Sequence, residues 1–99
     1  MSYPTDQLEP PKAVHDDPRA VEIMRIWVAG RGEHVALRAE AWEDLEQWGR
    51  MLAGVARYIS RAHTLAHGKD TAECVACIRR GFEEELDAPS DQPSADVSG

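Results

Sequence analysis

The spacing of apolar positions changes period once along the chain, from two residues to about three and a half. In Val21 to Val28 (VEIMRIWV) the even positions Met24, Ile26 and Val28 are all apolar, while the odd positions Ile23, Arg25 and Trp27 are mixed. That alternation, among β-branched residues, predicts a strand. Glu33 to Arg38 repeats it, with Val35 and Leu37 on one side and His34 and Ala36 on the other. Between the two runs lies Ala29-Gly30-Arg31-Gly32, whose glycines can supply positive φ in a tight connection, so a β-hairpin is expected. From Leu45 the period is helical, with Leu45, Trp48, Leu52, Val55, Ala56, Ile59, Ala62 and Ala66 on one face. Asp44 with Gln47 makes a capping-box start, and Gly68 a left-handed stop. Asp70 with Glu73 then opens a second helix striped by Val75, Ile78, Phe82 and Leu86. So short a turn predicts antiparallel helices. The fold class expected is α+β: an N-terminal β-hairpin packed on an antiparallel pair of α-helices, in the order β-β-α-α. The core would form where Trp48, Leu52, Val55 and Ile59 meet Met24, Ile26 and Val28.

The ends lack either period. Residues 1–20 hold Pro4, Pro10, Pro11 and Pro18 among acids and read as a flexible segment, with a third strand over 12–20 as the alternative. Residues 88–99 are rich in Pro, Ser and Asp and read as a disordered acidic tail. Residues 21–87 are then a single small domain. With 11 Lys+Arg against 18 Asp+Glu the net charge is −7, and residues 21–87 alone carry nine bases against twelve acids, net −3. Such a chain is repelled by phosphate backbones and anionic lipid, so neither nucleic acid nor membrane is an expected partner. No apolar run reaches the roughly 18–20 residues of a membrane span, and the start lacks the basic and apolar regions of a secretory signal. Two cysteines are too few for a disulfide framework, which points to a reducing, cytoplasmic setting.

The run from Ala20 to His63 (AVEIMRIWVAGRGEHVALRAEAWEDLEQWGRMLAGVARYISRAH) resembles a family of small bacterial proteins, domain of unknown function 5076. The resemblance rests on the Trp27 strand, the HVALR segment (His34 to Arg38), the AWED turn (Ala41 to Asp44), the Trp48-Gly49 pair and the later Gly81-Phe82 stretch. It implies a small α+β domain of bacterial origin and brings no activity, ligand or catalytic residue with it. Cys74 and Cys77 are not part of that pattern.

His63, His67, Cys74 and Cys77 form the spacing H-x3-H-x6-C-x2-C, and four nitrogen and sulfur ligands suit tetrahedral zinc. The competing reading makes the histidines helix-terminal residues favoured by the macrodipole and Cys74 a small apolar side chain. The six-residue gap favours that second reading, so no cofactor is expected and zinc is the alternative. A redox role fits poorly, because Cys74 lies a turn inside a helix that follows another helix. Ser60 and His63 lie one helical turn apart without a third residue to orient the imidazole, and Gly30-Arg31-Gly32 is accounted for by the hairpin turn. No catalytic residue is assigned, and enzyme activity is not expected.

Arg57 and Arg61 sit opposite the apolar stripe of the first long helix, with no acid one turn away. They read as a solvated face, or as a site for a small anion or an acidic partner such as the Glu83-Glu84-Glu85-Asp87 cluster. Trp48 belongs to the stripe. Ile23, Arg25 and Trp27 on the second face of the first strand, with Trp42 in the following loop, are the candidate interface residues. A hairpin alone is marginal in water, and unpaired strand edges invite pairing. The function expected is a non-catalytic oligomerising or protein-partner-binding module, in the form of a homodimer that uses the hairpin. The alternative is a small zinc-binding or redox-active protein built on the His/Cys set.

Overall fold

The computed structural model describes residues 7–30, 32–90 and 97–98. Its elements run α1 (Lys12–Asp16), β1 (Met24–Ala29), β2 (Gly32–Leu37), a 3-10 turn (Ala39–Ala41), α2 (Leu45–His67), α3 (Thr71–Asp87) and β3 (Val97–Ser98). The β-β-α-α order and the α+β class are as the apolar periods require. β1 and β2 pair antiparallel with Met24 opposite Leu37, Ile26 opposite Val35 and Trp27 opposite His34. Gly30 makes the turn at φ +60°, where a side chain would crowd the backbone.

Residues 12–20 do not add a strand. Pro11 stands extended at the N-cap of α1, and Lys12 reaches Asp16 at 2.8 Å one turn on, which favours helix there. The third strand comes from the other end of the chain, where Val97 and Ser98 pair parallel to Val35 and Ala36, for a sheet order of β1-β2-β3. The disordered tail expected over 88–99 thus falls largely on residues outside the described ones. Ala88 to Ser90 close α3, and Ser90 donates from its Oγ and its backbone N–H to the Glu85 carboxylate. Those bonds, the hydroxyl's first, hold the Glu85 carboxyl below the usual carboxylate range.

The long helices begin and end on the residues that cap them. Asp44 accepts the Glu46 amide at 2.9 Å and Asp70 accepts the Glu73 amide at 3.0 Å. Gly68 closes α2 at φ +68° and donates its N–H to the Thr64 carbonyl. A Cβ built at Gly68 meets open space, so Gly68→Ala should cost the left-handed backbone term alone, about 1 kcal/mol. Urea denaturation measures this, and an unchanged midpoint would show that the turn can close another way.

α2 and α3 pack together on small and hydroxyl side chains. Ser60 is fully buried, its Oγ donating to the Ala56 carbonyl at 2.9 Å. One turn later Thr64 donates to the Ser60 carbonyl at 3.1 Å and meets the Thr71 hydroxyl at 2.7 Å. These groups satisfy one another or their own helix, so the seam closes without an unpaired polar atom.

The expected core does not form. No Cα of β1 or β2 lies within 8 Å of one in α2 or α3, and among the described residues no apolar side chain is fully buried. Leu52, Val55 and Ile59 stay 38–44% exposed because the α3 seam lies on the neighbouring Ala56-Ser60-Thr64 side of α2. Ile26 and Val28, assigned to the core, are 55% and 83% exposed. Two local units, a strand hairpin and a helical hairpin, lie side by side with apolar surface uncovered on each.

Candidate functional site

Two places in this fold gather chemistry. One is the cleft where α2 turns into α3, an open hollow of about 610 Å³ lined by Ile59, His63, Asp70, Glu73, Cys74, Cys77 and Ile78 among others. Three of the four residues of the alternative zinc reading line it. His67 does not; its ring lies 5.7 Å from that of His63, tilted by 42°. Both thiols are free, Cys74 half-buried and Cys77 exposed, and Arg80 donates to the Cys77 sulfur at 3.4 Å. Among the described residues no three His, Cys, Asp or Glu side chains gather closely enough to hold a metal ion. Ser60 and His63 do not make a nucleophile and base: the serine hydroxyl is buried and already committed to the Ala56 carbonyl.

The second place is the outer face of the helical hairpin. The half-exposed Leu52, Val55 and Ile59 of α2 share it with the open-end half of the α3 stripe, Phe82 and Leu86, which are 51% and 66% exposed. At the turn end the same α3 stripe is half-buried, at Val75 and Ile78. On the opposite side of α2 from this face, Arg57 and Arg61 are exposed and have no ion-pair or hydrogen-bond partner among the described residues, whereas Arg50 reaches Glu46 at 3.3 Å and Asp44 at 3.7 Å. The sequence reading missed this face because it assigned the α2 stripe to the core. Its signal is the stripe itself, uninterrupted by charge along α2.

The hairpin candidates divide differently from expectation. Ile23, Arg25 and Trp27 are half-buried, and Arg25 is held by Glu22 at 2.6 Å. The more exposed face of β1 is the other one, bearing Ile26 and Val28. Trp42 is half-buried beside Trp48, the two rings edge to face with centroids 5.0 Å apart, and the Trp48 indole N–H donates to the Trp42 carbonyl at 3.1 Å. This pair pins the chain leaving the sheet to the first turns of α2. No helix among the described residues is long and apolar enough to cross a membrane.

The whole chain is similar to a solved protein of the photosynthetic bacterium Rhodopseudomonas palustrus CGA009 that carries the proposed designation of a pyruvate dehydrogenase. Identity is 30%, the match covers 100% of both chains, and the TM-score is 0.70. Among curated proteins none matches. The profile of the family described as domain of unknown function (DUF5076) matches residues 7–90, from before α1 to the close of α3, and the chain belongs to that family.

Proposed function

We propose that the chain is a non-catalytic oligomerising or protein-partner-binding module. The observation that supports this most is that no apolar side chain is fully buried among the described residues. The accessible surface is 8775 Å², whereas a compact folded monomer of 11.0 kDa exposes about 5600 Å². Large contiguous apolar surface on a small protein is a contact surface. The free thiols Cys74 and Cys77 and the net charge of −7 suit a reducing, cytoplasmic setting without nucleic-acid or membrane partners.

The designation carried by the Rhodopseudomonas protein is not extended to this chain. Oxidation of a 2-oxo acid calls for an enclosed site where substrate and cofactor meet, and the cleft at the α2–α3 turn is open. The second reading, zinc or redox chemistry at His63, His67, Cys74 and Cys77, has in its favour that three of these residues line that cleft. One measurement separates the two. Native mass spectrometry should give a mass near twice 11.0 kDa with no stoichiometric metal. A protein carrying one zinc per chain, lost in Cys77→Ser, would replace the binding-module reading with the metal one.

A further inference from the structure

We propose that the side of the helical hairpin carrying Arg57, Arg61 and Arg79 is a docking site for an acidic protein segment, whose carboxylates the three guanidinium groups receive. This rests on the binding-module reading and names a partner for it. In a chain with 18 Asp and Glu, residues 47–69 contain none. The pairing of the helices brings Arg79 to the same place. Ser60 is buried at the seam, Thr64 meets Thr71 across it at 2.7 Å, and Ile78 lies two turns beyond Thr71 on the same side of α3. One residue before Ser60 and Ile78 stand Ile59 and Cys77, which line the open cleft. One residue after them stand Arg61 and Arg79, each turned about 100° in the other sense. Because the helices are antiparallel, both arginines lie on the side away from the cleft, with Arg57 one turn before Arg61.

With Thr64 opposite Thr71, Arg57 lies level with Ile78 and so one residue from Arg79, while Arg61 stands about 6 Å further along α2. All three are exposed, and none has an ion-pair or hydrogen-bond partner among the described residues. Elsewhere Lys12 holds Asp16, Arg25 holds Glu22, and Arg50, on the same side of α2, holds Glu46. Glu83 is one turn beyond Arg79 on α3 and makes no pair with it. Like charges gathered on one strip repel each other, and carboxylates from a partner relieve that repulsion through the paired hydrogen bonds that a guanidinium fork offers. The three groups line an exposed strip, which suits a length of chain better than a lone small anion. Alternate residues of an extended segment are about 6.6 Å apart, close to the rise from Arg57 to Arg61, so acids at every second position fit it. The net charge of −7 disfavours nucleic acid, whose phosphates are the competing ligand for such a strip.

Titration of the full chain into a fluorescein-labelled peptide of alternating glutamate and serine, followed by anisotropy at low salt, tests this. Binding should saturate. Arg57→Ala with Arg61→Ala and Arg79→Ala should weaken it about tenfold or more, the combined effect of losing three exposed charge pairs. Lys12→Ala with Arg19→Ala removes positive charge away from the strip and should leave binding within about twofold of the wild type. All these positions are exposed, and circular dichroism checks that each variant keeps its helices. Absence of saturable binding at high micromolar concentration, or equal binding by the triple variant, overturns the inference. Tighter binding of a single-stranded oligonucleotide of the same charge also overturns it and gives the strip to nucleic acid. So does displacement of the peptide by inorganic phosphate at equal concentration, which gives the strip to a small anion. None of these outcomes touches the binding-module reading, which the native mass measurement decides.

Discussion

In the homodimer proposed for this chain, with the α2 stripe as the contact, Val55→Asp should weaken association by about 100-fold or more, since placing an unpaired carboxylate in an apolar contact costs several kcal/mol and each 1.4 kcal/mol is a factor of ten. The isolated chain should hardly respond. Val55 is 42% exposed, no charged residue of α2 crowds its face, and valine and aspartate differ little in helix propensity. Circular dichroism should therefore report the same helix content in the dilute variant as in the wild type, while its sedimentation shifts to the single-chain mass. An oligomer of unchanged affinity would show that the α2 stripe faces solvent in every state of the protein. Loss of helix in the dilute variant would show instead that Val55 supports the chain from within. The two outcomes are separable because one is read from mass and the other from helix content.

Trp48→Ala should destabilise the fold by about 2–3 kcal/mol, below the roughly 3–5 kcal/mol of a fully buried tryptophan because this ring is only half covered. Three losses combine. The indole donates to the Trp42 carbonyl, a bond worth about 1 kcal/mol net. The edge-to-face contact with Trp42 adds about 0.5–1.5 kcal/mol, and part of the apolar ring returns to water. Trp48→Phe keeps an aromatic face and removes the donor, so about 1 kcal/mol should separate it from the wild type. Chemical denaturation followed by circular dichroism measures both. A cost for Trp48→Ala under about 0.5 kcal/mol, the scale of a plain surface change, would mean that Trp42 and Trp48 do not hold the sheet's exit to α2.

Much of this architecture could be read in the residues, and the reasons are local. Asp44, Gly68 and Asp70 mark helix ends because each satisfies backbone groups that the helix cannot. Gly30 marks the hairpin because its φ is open to few other residues. What could not be read is which faces meet. Periodicity says that Leu52, Val55 and Ile59 share a side, but not what covers it, and the helices close instead on Ala56, Ser60 and Thr64. The hydroxyls there bond to their own helix and so enter a seam at little cost. β3 escaped for a similar reason: two residues without alternation carry no period, and their strand conformation comes from pairing with Val35 and Ala36. For the site, spacing brought His63, Cys74 and Cys77 to one cleft but could not fix distances across the turn, and His67 falls outside it.

The separation of strand hairpin from helical hairpin also dictates an order of events during folding. Apart from β3, each unit pairs neighbours in the chain, β1 with β2 through Gly30 and α2 with α3 through Gly68, so the loops that must close are short and the entropy of closing them is small. Both can form within microseconds, without waiting for one another. Nothing comparable drives the two units into a common core, because their apolar faces do not meet within one chain. In the homodimer proposed for this chain the slow step is then bimolecular, and the observed folding rate should rise with concentration.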